Sequence, residues 1–440
     1  MKTTKSNSKS SPDNISNLNE KLKLGKTKIL KKQPPKQPPK QPPKETNSPP
    51  SNSPPNLFEY LNDLPDYRNI KYYSNHTTYS ISQLVILSIM ASLQGQATQI
   101  GFARFCKNNQ VELLMFPPLN TLSRLPSLAT FNRLSKGISF EEINKRLHKW
   151  LCDCIKFLSL EKLASKVSID GKYLKGYKSK DKDGKSNHQT SEQNMLGSIS
   201  MFCQDLKIVL DSNTLEGKKE SETNKFRELL DNPLVKLITG DSLHCNHQTL
   251  EKINDLEKEY IIGLKGNCSK LKATLDTLSQ TKKPYSTTTD NTKKVLRNIE
   301  VFEISKVMKS KQLKNWSSCN IQAFVKVTKT SKKTGKIQVN TYISNINPEI
   351  YSAKEFAISI RKHWGIENNL HWHKDVIFGE DKHIQTSVNS NFFFSTLSSF
   401  AIGVINFRNS LYNLKETVLD VVRYNANRLD RTLAVLRLEV

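Results

Sequence analysis

The chain has 440 residues, 36% hydrophobic and 8% aromatic, enough to bury a sizeable core divided over two or three domains. Its net charge of +26 is spread along the whole length and favours a polyanionic partner, nucleic acid ahead of an anionic membrane surface. The longest apolar run, residues 81–93, is broken by Ser82, Gln83, Ser88 and Ser92 and falls short of the roughly 20 residues needed to cross a bilayer, so no membrane span is expected.

Residues 1–55 are Lys, Ser, Asn and Pro with few large apolar side chains, and they hold three Gln-Pro-Pro-Lys units between Gln33 and Lys44. Such a composition predicts a disordered basic tail with polyproline II character, either a solubilising leader or an arm that adds non-specific DNA affinity. The polar first 19 residues carry no secretory signal, and the seven cysteines have no regular spacing. Both features fit the cytoplasm, with reduced thiols and no zinc site expected, and a DNA partner would place the chain at the nucleoid.

From 56 to about 160 the apolar residues recur every three or four positions, in 80–93, 102–114 and 140–158, which predicts an all-α domain suited to DNA binding. Ser139 followed by Glu142 reads as a capping box that opens the last of these helices. After 160 short apolar runs alternate with helical patterns. The segments 166–170, 198–202, 207–211, 235–238 and 260–264 read as strands, with helices over 220–230 and 247–256. The resulting fold class is α/β, a mixed sheet flanked by helices over 161–440. A strand-rich insertion at about 284–347, with strands over 299–304, 321–327 and 339–343, precedes an amphipathic helix from about 353 to 374 and further helices from 391 to 438.

Two strands end alike: Val167 and Ile169 lead to Asp170-Gly171, and Val235, Leu237 and Ile238 lead through Gly240 to Asp241. Ligand sites of open α/β sheets lie beyond the carboxyl ends of the strands, so both aspartates are delivered to one sheet edge. Either one alone ordinarily starts a turn or caps a helix. On the helix from Ala353 to Lys374, three- and four-residue steps join Ala353, Phe356, Ile360, Trp364, Glu367, His371 and Lys374, a stripe that should face the sheet. A carboxylate there needs either a salt bridge, with Arg361 or Lys374, or a metal. Three converging carboxylates suit two hard cations, Mg2+ or Mn2+, in phosphodiester cleavage, with Asp170 bridging both ions and Asp241 and Glu367 each holding one.

The stretches Ser168-Ile-Asp-Gly-Lys172, Thr239-Gly-Asp-Ser-Leu-His244, Tyr260-Ile-Ile-Gly-Leu-Lys-Gly-Asn267 and His363-Trp-Gly-Ile-Glu-Asn368 resemble, in this order, the signature blocks of the H-repeat-associated DDE transposases of bacterial insertion sequences. Similar pieces, among them Leu64-Pro-Asp66, Pro126-Ser127 and Leu370-His-Trp372 with Glu380-Asp381, extend the resemblance over nearly everything from Leu57 onward. It implies an RNase H-like core with a strand-rich insertion, and Asp170, Asp241 and Glu367 as the metal-binding catalytic triad. It also implies cleavage and strand transfer at the ends of an insertion sequence, by a dimer or larger assembly on transposon-end and target DNA, without a nucleotide cofactor. Related families carry an Arg before the Glu and a Lys seven positions after it, both on DNA phosphate. Lys374 stands at the later position, whereas His363 occupies the Arg position, with Arg361 two residues earlier.

Lys172 and Lys265, just past strand ends, are further phosphate-binding candidates, set against ordinary surface lysines. His244 is a packed or capping residue, or it orients a water near Asp241. The helical spacing of Trp364 and Trp372 favours core packing over stacking on a flipped base. Asp375, Glu380 and Asp381 read as outlying acids around the site or as solvated residues. Two alternatives to a transposase remain: an inactive DNA-binding relic that keeps the fold, and a plain RNase H-like nuclease.

Overall fold

The computed structural model describes residues 54–68, 78–175, 196–216 and 219–439. The tail foreseen over 1–55 lies outside the described residues except for Pro54 and Pro55.

Ser80 opens α1 (Ile81–Leu93) with a capping box: its hydroxyl accepts from the Gln83 N–H, and the Gln83 carboxamide accepts from the Ser80 N–H. Helices α2 (Gln99–Asn108), α3 (Leu128–Gly137) and α4 (Phe140–Phe157) follow. At α4 only half of the expected box forms. Ser139 Oγ accepts from the Glu142 N–H, but its hydroxyl donates to Glu141 rather than meeting a returning Glu142 side chain. Helix α3, which the periodicity did not single out, buries a short stripe through Phe131 and Leu134.

The sheet has nine strands: β1 (Lys166–Tyr173), β2 (Leu196–Cys203), β3 (Val209–Glu216), β4 (Leu237–Gly240), β5 (Glu259–Leu264), β6 (Ser286–Asn291), β7 (Val295–Glu303), β8 (Ala323–Ser331) and β9 (Ile337–Ser344). Their order is β3-β2-β1-β4-β5-β9-β8-β7-β6. Strands β1, β4 and β5 run parallel, and every other pairing is antiparallel. The first five strands form the expected RNase H-like core. The insertion does not fold apart from it: β9 pairs directly with β5, so the four inserted strands extend the same sheet. Strand β6, Ser-Thr-Thr-Thr-Asp-Asn, has no apolar alternation to betray it, being an edge strand with a half-exposed pattern.

The central parallel strands are buried on both faces, which explains their near-continuous apolar runs. Leu237 and Ile261 point to one face, where Phe356 and Ile360 of α8 (Ala353–His363) cover them together with Ile299, Val301 and Val325 from the insertion. Ile238, Tyr260 and Ile262 point to the other, into a larger core shared with the N-terminal helices. Helices α5 (Lys219–Leu229) and α6 (His247–Asp255) occupy the two connections on either side of β4, and α7 (Ser269–Thr281) follows β5; α5 packs on β1, β2 and β3, and α6 on β5.

Helix α9 (Val388–Leu411) runs through that larger core against α1, α3, α4 and β3. By length and composition it resembles a membrane span, yet 78% of its apolar window lies inside the protein. Among the described residues it is the only helix that passes this test. Helices α10 (Val418–Asn425) and α11 (Leu429–Leu436) close the chain against it.

Candidate metal centre and groove

Strands β1 and β4 are in parallel register with Ile169 opposite Gly240, so the next residue of each, Asp170 and Asp241, emerges at the same sheet edge. Alternation along the strands sends Ser168, Asp170 and Lys172, and likewise Leu237, Thr239 and Asp241, to the face crossed by α8. Asp241 also caps the turn that follows it, its Oδ1 accepting from the Leu243 N–H at 2.9 Å. At Gly171 the Glu222 carboxylate comes close to β1: a Cβ there would lie 2.7 Å from Glu222 Oε1 and would make that side chain shift.

The segment carrying Glu367 departs from the single straight helix expected over 353–374. Helix α8 ends at His363, and a π-helical turn follows over Glu367–His371 before the short helix Trp372–Val376. The three-and-four-residue stripe is broken already at Trp364, where α8 ends. His371 and Lys374 face inward as foreseen, but the Glu367 side chain is 51% exposed and stands over the groove rather than in the packed interface. Trp364 and Trp372 are exposed by 56% and 50%, so the expectation that they pack in the core is corrected.

Asp170, Asp241 and Glu367 line one open groove together. His371 lies between two of them, its Nδ1 3.3 Å from Glu367 Oε2 and 4.0 Å from Asp170 Oδ2. Burial, reinforced by the carboxylates of Glu367, Asp241 and Glu222, pushes the Asp170 carboxyl up to about 8. Contact with the His371 ring holds Glu367 below its ordinary range. A cluster of hard oxygen donors whose mutual repulsion penalises ionisation is suited to divalent cations, which would relieve that penalty. The donor set therefore fits the metal chemistry expected from the sequence.

Four of the sequence-predicted basic residues and His363 divide sharply in placement. Lys265 and Arg361 are exposed and line the groove, together with Lys272, Arg297 and Lys329. Arg361 and Arg297 both reach Asp290 on β6. His363 lines it as well, but as a neutral ring: burial takes its pKa down to about 4, and its Nδ1 meets Thr239 Oγ1 at 3.0 Å, fastening the end of α8 to β4. Thr239 is held in turn by Gln204 and the Val167 carbonyl, a buried polar cluster under the acids.

Lys172 and Lys374, expected on DNA phosphate, are instead buried. Lys172 Nζ lies 2.8 Å from Asp375 and 2.9 Å from Glu380, while Lys374 Nζ lies 2.9 Å from the other Glu380 oxygen and donates to Ser395 Oγ at 2.6 Å. The acids foreseen as outlying thus neutralise two lysines and tie β1 to the segment bearing Glu367. His244 is buried, stacked on Phe226 with ring centroids 3.8 Å apart, and burial takes its pKa down to about 3. His371 and Glu222 were not assigned to the acid centre from the sequence. His371 was legible through its four-residue offset from Glu367; Glu222 carried no local signal, because only the packing of α5 on β1 brings it near.

A family model described as "Transposase DDE domain" matches residues 161–402. The chain is 24% identical over 364 residues to "H repeat-associated putative transposase YhhI" of Escherichia coli (strain K12), covering 79% of this chain and 90% of that protein. It is equally similar, 24% over 364 residues with the same coverage, to "Putative protein YbfL" of the same strain. Over 337 residues it is 24% identical to "Putative transposase YncI" of Escherichia coli O157:H7, covering 74% and 80% of the two chains. With more than half of its length matched by the domain, and its sheet and acid-bearing segments arranged as described, the chain belongs to the DDE transposase family.

Proposed function

We propose that the protein cleaves DNA at the ends of an insertion sequence and joins the freed 3′-hydroxyl to target DNA, with Asp170, Asp241 and Glu367 as its catalytic and metal-binding residues. The observation that carries this reading is the meeting of Asp170 on β1 and Asp241 just past the adjacent parallel β4 with Glu367 in one basic groove. Two divalent cations, Mg2+ or Mn2+, would supply activation of the attacking oxygen and stabilisation of the leaving one.

The chain's own residues do the rest. Bound cations would hold all three acids ionised against the repulsion that raises Asp170 in their absence, with Asp170, which feels both Glu367 and Asp241, as the central one. Lys265 and Arg361 bind flanking phosphates, Arg361 exchanging Asp290 for the DNA backbone. His363 positions the end of α8 through Thr239. Trp364, exposed at the groove, offers a ring face for an unstacked base. The helical region 56–160 and the basic tail take part in recognising the ends, as a dimer or larger assembly at the nucleoid of the bacterial cytoplasm.

The test uses purified protein, Mg2+ or Mn2+, and DNA bearing the inverted repeats that flank the gene. Cuts and strand-transfer products are expected, and Asp170→Ala, Asp241→Ala and Glu367→Ala should each abolish both while DNA affinity stays within a few-fold. Cleavage surviving in all three variants removes the mechanism. Cleavage without joined products leaves a plain nuclease.

A further inference from the structure

Within the groove, the imidazole of His371 is placed as the acids are. Its side chain is nearly buried, at 5% exposure, and it reaches carboxylates from two different elements, Glu367 on its own π turn and Asp170 on β1. One donor atom from each of the three residues lies within 4.8 Å of the others. Donors sharing a small divalent cation at about 2.1 Å each sit no more than about 4.2 Å apart, so a slight closure suffices. The ring is not committed elsewhere, since Nε2 has no hydrogen-bond partner among the described residues. Its Nδ1 faces both carboxylates, at 3.3 Å from Glu367 and 4.0 Å from Asp170. The π turn that presents Glu367 and His371 together is itself a rare conformation found mostly at functional sites.

We propose that His371 is a metal ligand, completing with Asp170 and Glu367 a mixed oxygen and nitrogen site that favours Mn2+ over Mg2+. Magnesium takes oxygen donors almost exclusively, whereas an imidazole nitrogen raises affinity for first-row transition cations. The Asp241 side has an imidazole of its own close by, His244 Nε2 at 3.7 Å from Asp241 Oδ1, so the assignment of His371 concerns the Asp170 and Glu367 side alone. The inference rests on the acid-triad reading above.

The experiment measures Mn2+ binding to the full chain without DNA, from the electron paramagnetic resonance of free Mn2+, with Mg2+ as competitor. Spin-echo modulation of the bound ion reads directly coordinated nitrogen. In the wild type, Mn2+ binding that depends on Asp170 and carries a nitrogen coupling is expected. His371→Ala should lose the coupling and bind Mn2+ about tenfold or more weakly, while the apparent Mg2+ affinity moves less than about threefold. Should the alanine variant fail to fold, His371→Gln, which keeps an oxygen donor, takes its place with the same expectation. Asp170-dependent Mn2+ binding with no nitrogen coupling overturns the assignment of His371 alone. Mn2+ binding that is absent, or unchanged in Asp170→Ala, overturns the acid triad and this inference with it.

Discussion

At the residue scale, the centre is a compromise between stability and chemistry. Asp170 is largely buried, and burial together with Glu367, Asp241 and Glu222 opposes its ionisation. Asp170→Asn should therefore stabilise the metal-free protein, by about 1 kcal/mol, while removing the response to cations. Thermal unfolding in EDTA and in Mn2+ checks both halves. The wild type should gain about 2.7 kcal/mol at a Mn2+ concentration one hundred times the Kd, and the variant close to nothing. A variant less stable than wild type in EDTA would show that repulsion among the acids is not the dominant force on Asp170. At the same scale, Lys265→Ala and Arg361→Ala should each lower the salt dependence of DNA binding by about one phosphate contact, measured by titration at several salt concentrations.

Among elements, the joint between β1 and the Glu367 segment decides the geometry. Glu380 receives both Lys172 and Lys374 in a buried network. Burial alone would raise its carboxyl, but the two ammonium groups outweigh this and hold it down at about 2, against 4.5 for an ordinary Glu. A carboxyl depressed in the folded state contributes stability that is present above about pH 4.5 and lost as pH falls toward 2. Unfolding free energy followed over that window should fall with a slope of up to about 1.4 kcal/mol per pH unit from this group, and Glu380→Gln should remove that part. Glu380→Ala removes the carboxylate paired with the buried Lys374 and should cost about 3–5 kcal/mol in urea denaturation. The paired change Lys374→Met with Glu380→Gln leaves Lys172 with Asp375 and Asp381 and should cost much less. Because Lys374 is enclosed, Lys374→Met should leave the salt slope of DNA binding unchanged, in contrast to Lys265 and Arg361.

For the molecule as a whole, one core cluster runs from Leu57 to Leu438 and includes residues of the N-terminal helices, the sheet and α9. Phe407, near the end of α9, is fully buried in it. Phe407→Ala should cost about 3–5 kcal/mol and shift helical and sheet signals together in one urea transition, as measured by circular dichroism and tryptophan fluorescence. Two separated transitions would show instead that the helices and the sheet unfold independently.

The central strands were legible from the sequence as short apolar runs, as in Val167 to Ile169 and Leu237 to Ile238, although β1 runs on through Gly171 to Tyr173 instead of ending at Asp170. Asp170 and Asp241 meet because β1 and β4 are parallel neighbours in register, Ile169 opposite Gly240, which carries the next residue of each to the same level of the sheet. Periodicity failed where structure departs from regular repeats, between the end of α8 at His363 and the π turn of Glu367–His371, where Trp364 and Glu367 face solvent. It failed also at β6, which lacks an apolar face. The availability of each lysine could not be read at all, since Lys172 and Lys265 look alike in one dimension. Only the tertiary structure encloses Lys172 and Lys374 around Glu380 and leaves Lys265 open, because the stability of a charge depends on which partners arrive from distant segments, and those arrive only when the chain has folded.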